Sequence, residues 1–369
     1  MIARTEIDTL VIGGGVVGMS IAYGLARAGQ RVRLLDEGDD AFRAARGNFG
    51  LVWVHGKGLG NPGYARWSRE AARQWPEFAL DLVERTGVNV ELSQIGGLVM
   101  SLDERELDAR VADLTLIRES LDGEYPFEVL NHGQVRALEP AIGPDVAGAT
   151  FGPLDGHVNP LRLLHALFQG FRSLGGETVG GVRVERIDHQ AGEFRVVTAG
   201  ATHTAGRVVL AAGLGNRELA PMVGLRAPVK PSRGQILVSE RMQPFLRHPS
   251  MHVRQTGEGV VQMGDSKEDV GFDDGTSLDQ LATIAKRAGR LFPILENVNI
   301  VRTWGALRVM TPDGFPVYQA SSDCPGAFLA TCHSGITLAS MHVGPLANWI
   351  LGGTEPSHIQ TFKAERFDV

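Results

Sequence analysis

The stretch Val11–Gly38, VIGGGVVGMSIAYGLARAGQRVRLLDEG, decides the fold. Just upstream, Ile7–Ile12 is short, apolar and β-branched, as a buried parallel strand should be. Gly13-x-Gly15-x-x-Gly18 follows without a gap, then a helical stretch through about Ala28. Gly29 suits the helix end, RVRLL reads as the next strand, and Asp36 closes it. Each part has a mechanical role. Gly13 permits the tight turn, Gly15 lets a pyrophosphate approach the backbone, and Gly18 lets helix and strand pack closely. The helix start at Val16 offers unpaired N–H groups to phosphates, and Asp36 can accept from a ribose hydroxyl. Because all the parts occur in register, the stretch predicts a dinucleotide site. Asp36 argues against NADP, whose extra phosphate it would repel. Between NAD and FAD the stretch alone does not choose.

With 369 residues the chain can bury a large core and is long enough for two domains. Charged residues at 21% and apolar residues at 43% are ordinary for a globular enzyme. The net charge of −6 arises from interspersed acids and bases with no basic block, which argues against a nucleic-acid partner. No apolar stretch approaches a membrane span, and the glycine motif begins too early for a cleaved signal peptide, so a cytoplasmic location is expected. Cys324 and Cys332 are the only cysteines and form no Cys-x-x-Cys pair. The chain therefore holds no cysteine set for an iron–sulfur cluster or zinc, and no metal site is expected.

Further along, helices are expected from Tyr64 to about Arg85, from about Asp103 to Leu121, from Pro160 onward, and over Leu278–Leu291. VRVERID, EFRVVTAG and THTAGRVVLAAG read as strands, and Pro228 to about Gly264 alternates like strands again. The tail reads as strand, strand and terminal helix. Nucleotide-type strands thus stand at the start, middle and end, with antiparallel-looking segments between. The expected fold is α/β: a Rossmann-like cofactor domain made of 1–85, 146–225 and 300–369. A second, antiparallel-sheet substrate domain is inserted as 86–145 and 226–299. GKGLGNPG (Gly56–Gly63) lacks the GxxxxGK[ST] spacing and is not a phosphate loop.

The late strand VVLAAGLGNREL, Val208–Leu219, ends in small residues that would let backbone approach a nucleotide. Taken with it, seven blocks occur in order: the N-terminal motif, VRVERI, RVVLAAGLGNRELA, PVKPSRGQILVSE, WGALRVMTPDGFPVY, ATCHSGITLAS and ILGG. In this order they resemble the D-amino acid oxidase/glycine oxidase family of FAD enzymes over nearly the whole chain. RQTGEGVVQMGDSKEDVGFD with CHSGITLA is most similar to the FAD-carrying catalytic subunits of heteromeric opine, hydroxyproline and sarcosine dehydrogenases. The resemblance implies FAD and a glycine oxidase-like fold.

It also implies roles. Gly13, Gly15, Val16 and Gly18 match the pyrophosphate turn, and Asp36 with Glu37 the ribose acid. Arg46, Gly47 and Asn48 match the stretch beside the flavin ring, and Val184 the backbone contact to adenine. Ala212 and Gly213 match the close approach to pyrophosphate. His333, Gly335, Ile336 and Thr337 match the segment capping the flavin's pyrimidine edge, where a helix start would stabilise negative charge. Arg308 falls where the family anchors the substrate carboxylate, with a guanidinium suited to a bidentate grip. His252 matches a pocket-lining tyrosine of glycine oxidases, as a substrate contact or a packed residue. His55 and Lys57 are candidate pocket residues. Arg254 is a second anion contact or a solvated strand residue. Two departures stand out: the family's extra arginine between the late His and Gly is missing. Ala306 occupies the position of covalent flavin attachment in monomeric sarcosine oxidases, so FAD is expected to be non-covalent. Cys332 stands where many relatives have glycine and reads as a small buried residue.

The chemistry implied is oxidation of a Cα–N bond by hydride transfer to flavin N5, giving an imine. The substrate would be an amino acid or N-substituted amino acid such as D-hydroxyproline, an opine, sarcosine or glycine. A partner subunit carrying an iron–sulfur or second nucleotide centre would take the electrons, or oxygen would. Two other classes remain open at this stage: a nicotinamide-dependent dehydrogenase, and a non-catalytic flavin-binding subunit of an electron-transfer complex.

Overall fold

The computed structural model describes residues 6–38, 44–45 and 47–368. Its first strand, Thr9–Ile12, is fully buried and lies between two parallel neighbours, Arg207–Leu210 and Val32–Asp36. Glu177–Gly180 extends the sheet beyond Val32–Asp36, and Ala327–Thr331 extends it beyond Arg207–Leu210, both in parallel. Val317–Ala320 closes one edge as the antiparallel sixth strand. The chain leaves Thr9–Ile12 toward one side first and fills the other side later. That makes this strand the switch point, where a crevice opens beyond the strand ends.

The helix Val16–Arg27 buries ten of its twelve residues against this sheet and the helix Pro160–Ser173. Helix starts follow local chemistry. Asn61 accepts from the Tyr64 N–H ahead of Pro62–Thr86, and Asn159 accepts from Leu161 and Arg162 N–H ahead of Pro160–Ser173. In both helices proline takes the first position, where its missing N–H costs nothing. Pro62–Thr86 carries Trp67 and Trp75 into the main core, with relative exposures of 1% and 0%.

A second layer is antiparallel throughout. Its four-stranded sheet runs in the order Val253–Gln255, Val260–Met263, Lys230–Arg241, Ile300–Met310. A three-stranded sheet of Gly97–Ser101, Gly148–Gly152 and Glu128–Asn131 shares a core with it, sealed by the helix Leu278–Leu291. A separate three-stranded meander covers residues 184–205.

Two local expectations differ from what is seen. Residues 300–310 and 148–152, assigned above to the cofactor domain, hydrogen-bond instead within the antiparallel sheets. The strand Ile300–Met310 pairs along its length with Lys230–Arg241 in the four-stranded sheet. The C-terminal helix is broken into Ala339–Met341, a wider π turn at His342–Leu346, and Ala347–Ile350. Pro345 inside that turn has no N–H to keep the tighter ladder.

Candidate active site

A cavity of about 410 Å³ opens at the switch point. The glycines define its floor by where side chains would fit. A Cβ on Gly13, whose φ is +110°, would lie 2.4 Å from the Ala211 carbonyl oxygen, and one on Gly18 would lie 1.9 Å from the Gly13 oxygen. A Cβ on Gly15 would meet no protein atom within 4 Å, because that space is the cavity. Gly13 and Gly18 therefore serve the packing of strand and helix, while Gly15 leaves backbone open toward a ligand. At one end Asp36 is fixed by the Gly14 N–H at 2.6 Å and the Gly38 N–H at 2.9 Å. The opposite end is walled by Asn48, Val309, Cys332 and His333. The spread from a ribose-type acid, across a glycine turn, to a distant aromatic and polar wall suits an extended dinucleotide with its reactive ring at the far end.

Of the cofactor residues expected from the sequence, all line this cavity except Gly18, Gly47, Thr337 and Arg46. Gly18 stands behind the turn. A Cβ on Gly47 would lie 2.2 Å from Ala306 Cβ, so this segment rests on the Ile300–Met310 strand. Thr337 Oγ1 accepts from the Trp53 N–H at 3.0 Å, and its carbonyl accepts from Trp75 Nε1 at 3.0 Å, so it fastens the wall from behind. Arg46 lies outside the described residues. Sequence reasoning missed Arg183, Glu218 and Phe272, which also line the cavity. Arg183 directly precedes Val184 inside the block VRVERI, where the resemblance gives a role to Val184 alone. Phe272 comes from the 265–277 loop, for which the sequence offers no pairing signal.

His333 is exposed along the cavity, whose walls surround it. Desolvation by those surroundings first, then the charges of Lys57, Arg308 and Lys267, push its pKa down to about 3, so it is neutral near pH 7. Arg308 stands on the strand Ile300–Met310, with its guanidinium lying over Gly234 of the paired strand. Its Nη1 donates to the Ser266 carbonyl at 2.6 Å and the Arg233 carbonyl at 3.2 Å. Among the described residues no carboxylate forms an ion pair with it, although Asp265 and Glu268 act on it at longer range. Burial lowers its pKa, yet a guanidinium stays charged. Arg308 is thus an oriented cation with no ion-paired carboxylate among the described residues, and its strand neighbour Val309, not Arg308 itself, lines the cavity.

His252 is half-buried, and its Nε2 lies 3.6 Å from Asp265 Oδ2. Burial and then Arg287 lower its pKa to about 4, against the pull of Asp265 and Glu106. Asp265 itself has φ +80°, a left-handed backbone that non-glycine residues rarely adopt. His252 does not line the cofactor cavity, and its neighbour Asp265 also acts electrostatically on Arg308. The structure brings His55 to neither place. It is buried with Nδ1 3.4 Å from Asp155 Oδ2, beside a separate small cavity shared with Arg69 and Tyr125. Arg254 is 2% exposed, which overturns its reading as a solvated strand residue. It donates to His157 Nδ1 at 2.7 Å, the Phe49 carbonyl at 2.8 Å and Gln262 at 2.8 Å, pinning the loop that enters the cavity. Cys332 is buried, and its thiol is pushed up to about 12, chiefly by burial.

A parallel sheet with a glycine-floored cleft at its switch point, lined also by Val309 of the antiparallel layer, has the form of a dinucleotide-dependent oxidoreductase. The FAD dependent oxidoreductase family, DAO, matches residues 8–345. The chain belongs to that family and is FAD-dependent. One of the opine oxidase subunits of Agrobacterium tumefaciens (strain Ach5) is 44% identical over 98% of both chains. Its namesake from the opine oxidase of Rhizobium meliloti is 43% identical over the same shares. Among solved structures, glycine oxidase from Geobacillus kaustophilus superposes with a TM-score of 0.88 at 24% identity, over 97% of this chain and 98% of that one. This confirms the glycine oxidase-like fold. The nicotinamide-dependent alternative falls with it.

Proposed function

We propose that this protein oxidises the Cα–N bond of an amino acid or N-substituted amino acid to an imine, with opine-type secondary amines the favoured substrates. The observation that carries the reading is Arg308: an oriented guanidinium, free of carboxylate pairing among the described residues, whose charge acts on cavity-lining His333 and whose strand neighbour Val309 lines the cleft. Bound FAD would supply the acceptor for the two electrons and the α-hydrogen. Arg308 would grip the substrate carboxylate through its remaining donors, fixing the α-carbon against the cleft and making the transfer a positioned, unimolecular event. His333, held neutral, places no competing positive charge on its ring beside a reacting amine. His252 and Asp265 would line the rim where the nitrogen substituent emerges. The remaining expected cofactor contacts, Gly13 to Val16, Asp36, Glu37, Val184, Ala212, Gly213 and the His333–Ile336 turn, would hold the dinucleotide along the cleft. Ala306 carries no nucleophile for a covalent link to it.

We further propose that electrons pass to a partner subunit. Two relatives are named as subunits of opine oxidase, and two cysteines are too few to hold a four-cysteine cluster in this chain. The test is a panel of opines, D-hydroxyproline, sarcosine, glycine and D-amino acids, assayed for 2-oxo acid and amine products with oxygen or an artificial dye as acceptor. Dye-dependent turnover of N-carboxyalkyl amino acids, with slow oxygen consumption, is the expected result. Products from none of the panel would overturn the reading and favour a non-catalytic flavin subunit.

A further inference from the structure

We propose that Lys57 is a fixed cation that raises the reduction potential of bound FAD, stabilising negative charge at the ring end of the cleft from behind the His333–Gly335 turn. The lysine is aimed there by an unusually well-held loop. Asp155 Oδ1 accepts from the Val54 N–H at 2.6 Å and the His55 N–H at 3.1 Å. Tyr125 accepts from the Gly56 N–H at 2.8 Å and donates to the Val54 carbonyl at 2.8 Å, while Arg110 donates to the His55 carbonyl at 2.8 Å. Gly56 has φ +89°, and a Cβ there would strike the Arg110 guanidinium at 2.4 Å, so both its backbone angle and its space are spoken for. The loop ends with the Lys57 N–H on the Val54 carbonyl at 2.8 Å.

From this platform Lys57 Nζ donates to Ser334 Oγ and, at 3.3 Å, to the Tyr64 hydroxyl. Among the described residues no carboxylate forms an ion pair with it. Ser334 is the middle residue of a turn whose two flanking residues, His333 and Gly335, face the cavity. The charge of Lys57 is felt at both Cys332 and His333, whereas Arg308 acts on His333 alone of these two. Lys57 is held through Ser334 at the turn that follows the nucleotide-sheet strand Ala327–Thr331, whereas Arg308 stands on the antiparallel strand Ile300–Met310. Two cations so placed divide the work: one receives the substrate's carboxylate, and the other faces the cofactor. A charge held by hydroxyls alone in a half-buried site keeps most of its field for an anion arriving nearby.

The inference rests on FAD binding and not on which amine is oxidised, so its test uses no amine. FAD-loaded wild-type protein and the variants Lys57→Met, Lys57→Arg and Ser334→Ala are compared by redox titration and by the affinity of the bound flavin for sulfite, an anion probe of positive charge near the ring. Lys57→Met should lower the two-electron equilibrium constant about tenfold, about 30 mV, and weaken sulfite binding in parallel. Lys57→Arg should restore both, and Ser334→Ala should shift both severalfold in the same direction. Should Lys57→Met fail to hold flavin, Ser334→Ala decides by itself. A potential and sulfite affinity unchanged from wild type, in whichever of these two variants binds FAD, would overturn the proposal.

Discussion

Gly15 and Gly18 share a motif but answer to different forces. A methyl group on Gly18 must displace backbone at 1.9 Å, whereas one on Gly15 enters empty cavity. Gly18→Ala should therefore destabilise the FAD-free protein by about 1–3 kcal/mol or more, as overpacking does. Gly15→Ala should leave the melting temperature of FAD-free protein nearly unchanged while weakening FAD binding at least tenfold. Calorimetry with and without FAD reads both outcomes, and equal destabilisation of the FAD-free form by the two would contradict the division. At this scale the residues that sequence reasoning placed well were those whose role is backbone geometry, because a glycine or a strand-end acid has few uses in that register. Long polar side chains were harder. His55 and Arg254 stand near the right loops, but whether each turns into the cleft or the core depends on Asp155 and His157, which are distant in sequence.

The segment Val52–Lys57 is anchored by Asp155, Tyr125 and Arg110, of which Asp155 takes the most backbone donors. That carboxylate is fully buried and takes two backbone N–H groups. Asp155→Ala leaves both donors without a partner, at a cost of about 2–3 kcal/mol, and lets the loop carrying Lys57 drift. The expected readouts are a lowered melting temperature together with weaker FAD binding. A drop in stability with unchanged FAD affinity would show that the loop does not depend on this anchor. The helix expected from Tyr64 begins two residues earlier at Pro62, capped by Asn61, whereas the helix start at Pro160 was recoverable because proline is tolerated at a first helical position. The pairing of Ile300–Met310 with Lys230–Arg241 was not, since strand neighbours are chosen by packing across the chain. That strand reads equally well as part of either layer until its partner is known.

Across the whole molecule, several histidines are held neutral by burial, and His342 is the clearest case. It is fully buried, its Nε2 meets the Tyr318 hydroxyl at 2.8 Å, and burial lowers its pKa to about 3. An unfolded histidine titrates near 6.5, so below that pH the unfolded chain takes up a proton that the fold refuses. The stabilising contribution is complete above about pH 6.5 and is lost as pH falls toward 3, at about 1.4 kcal/mol per pH unit for each such histidine. Denaturant melts between pH 7 and pH 4.5 should show this decline, and a flat profile would contradict it. Among the described residues no helix is long and apolar enough to cross a membrane.

Anaerobic titration of the FAD-loaded protein with an N-carboxyalkyl amino acid, followed by flavin absorbance, tests the central claim most directly. Wild-type protein should bleach. Arg308→Ala should hold FAD equally well yet need about 10- to 100-fold more substrate, matching the loss of a charge-assisted hydrogen-bond pair. Identical bleaching curves for the two proteins would contradict the account.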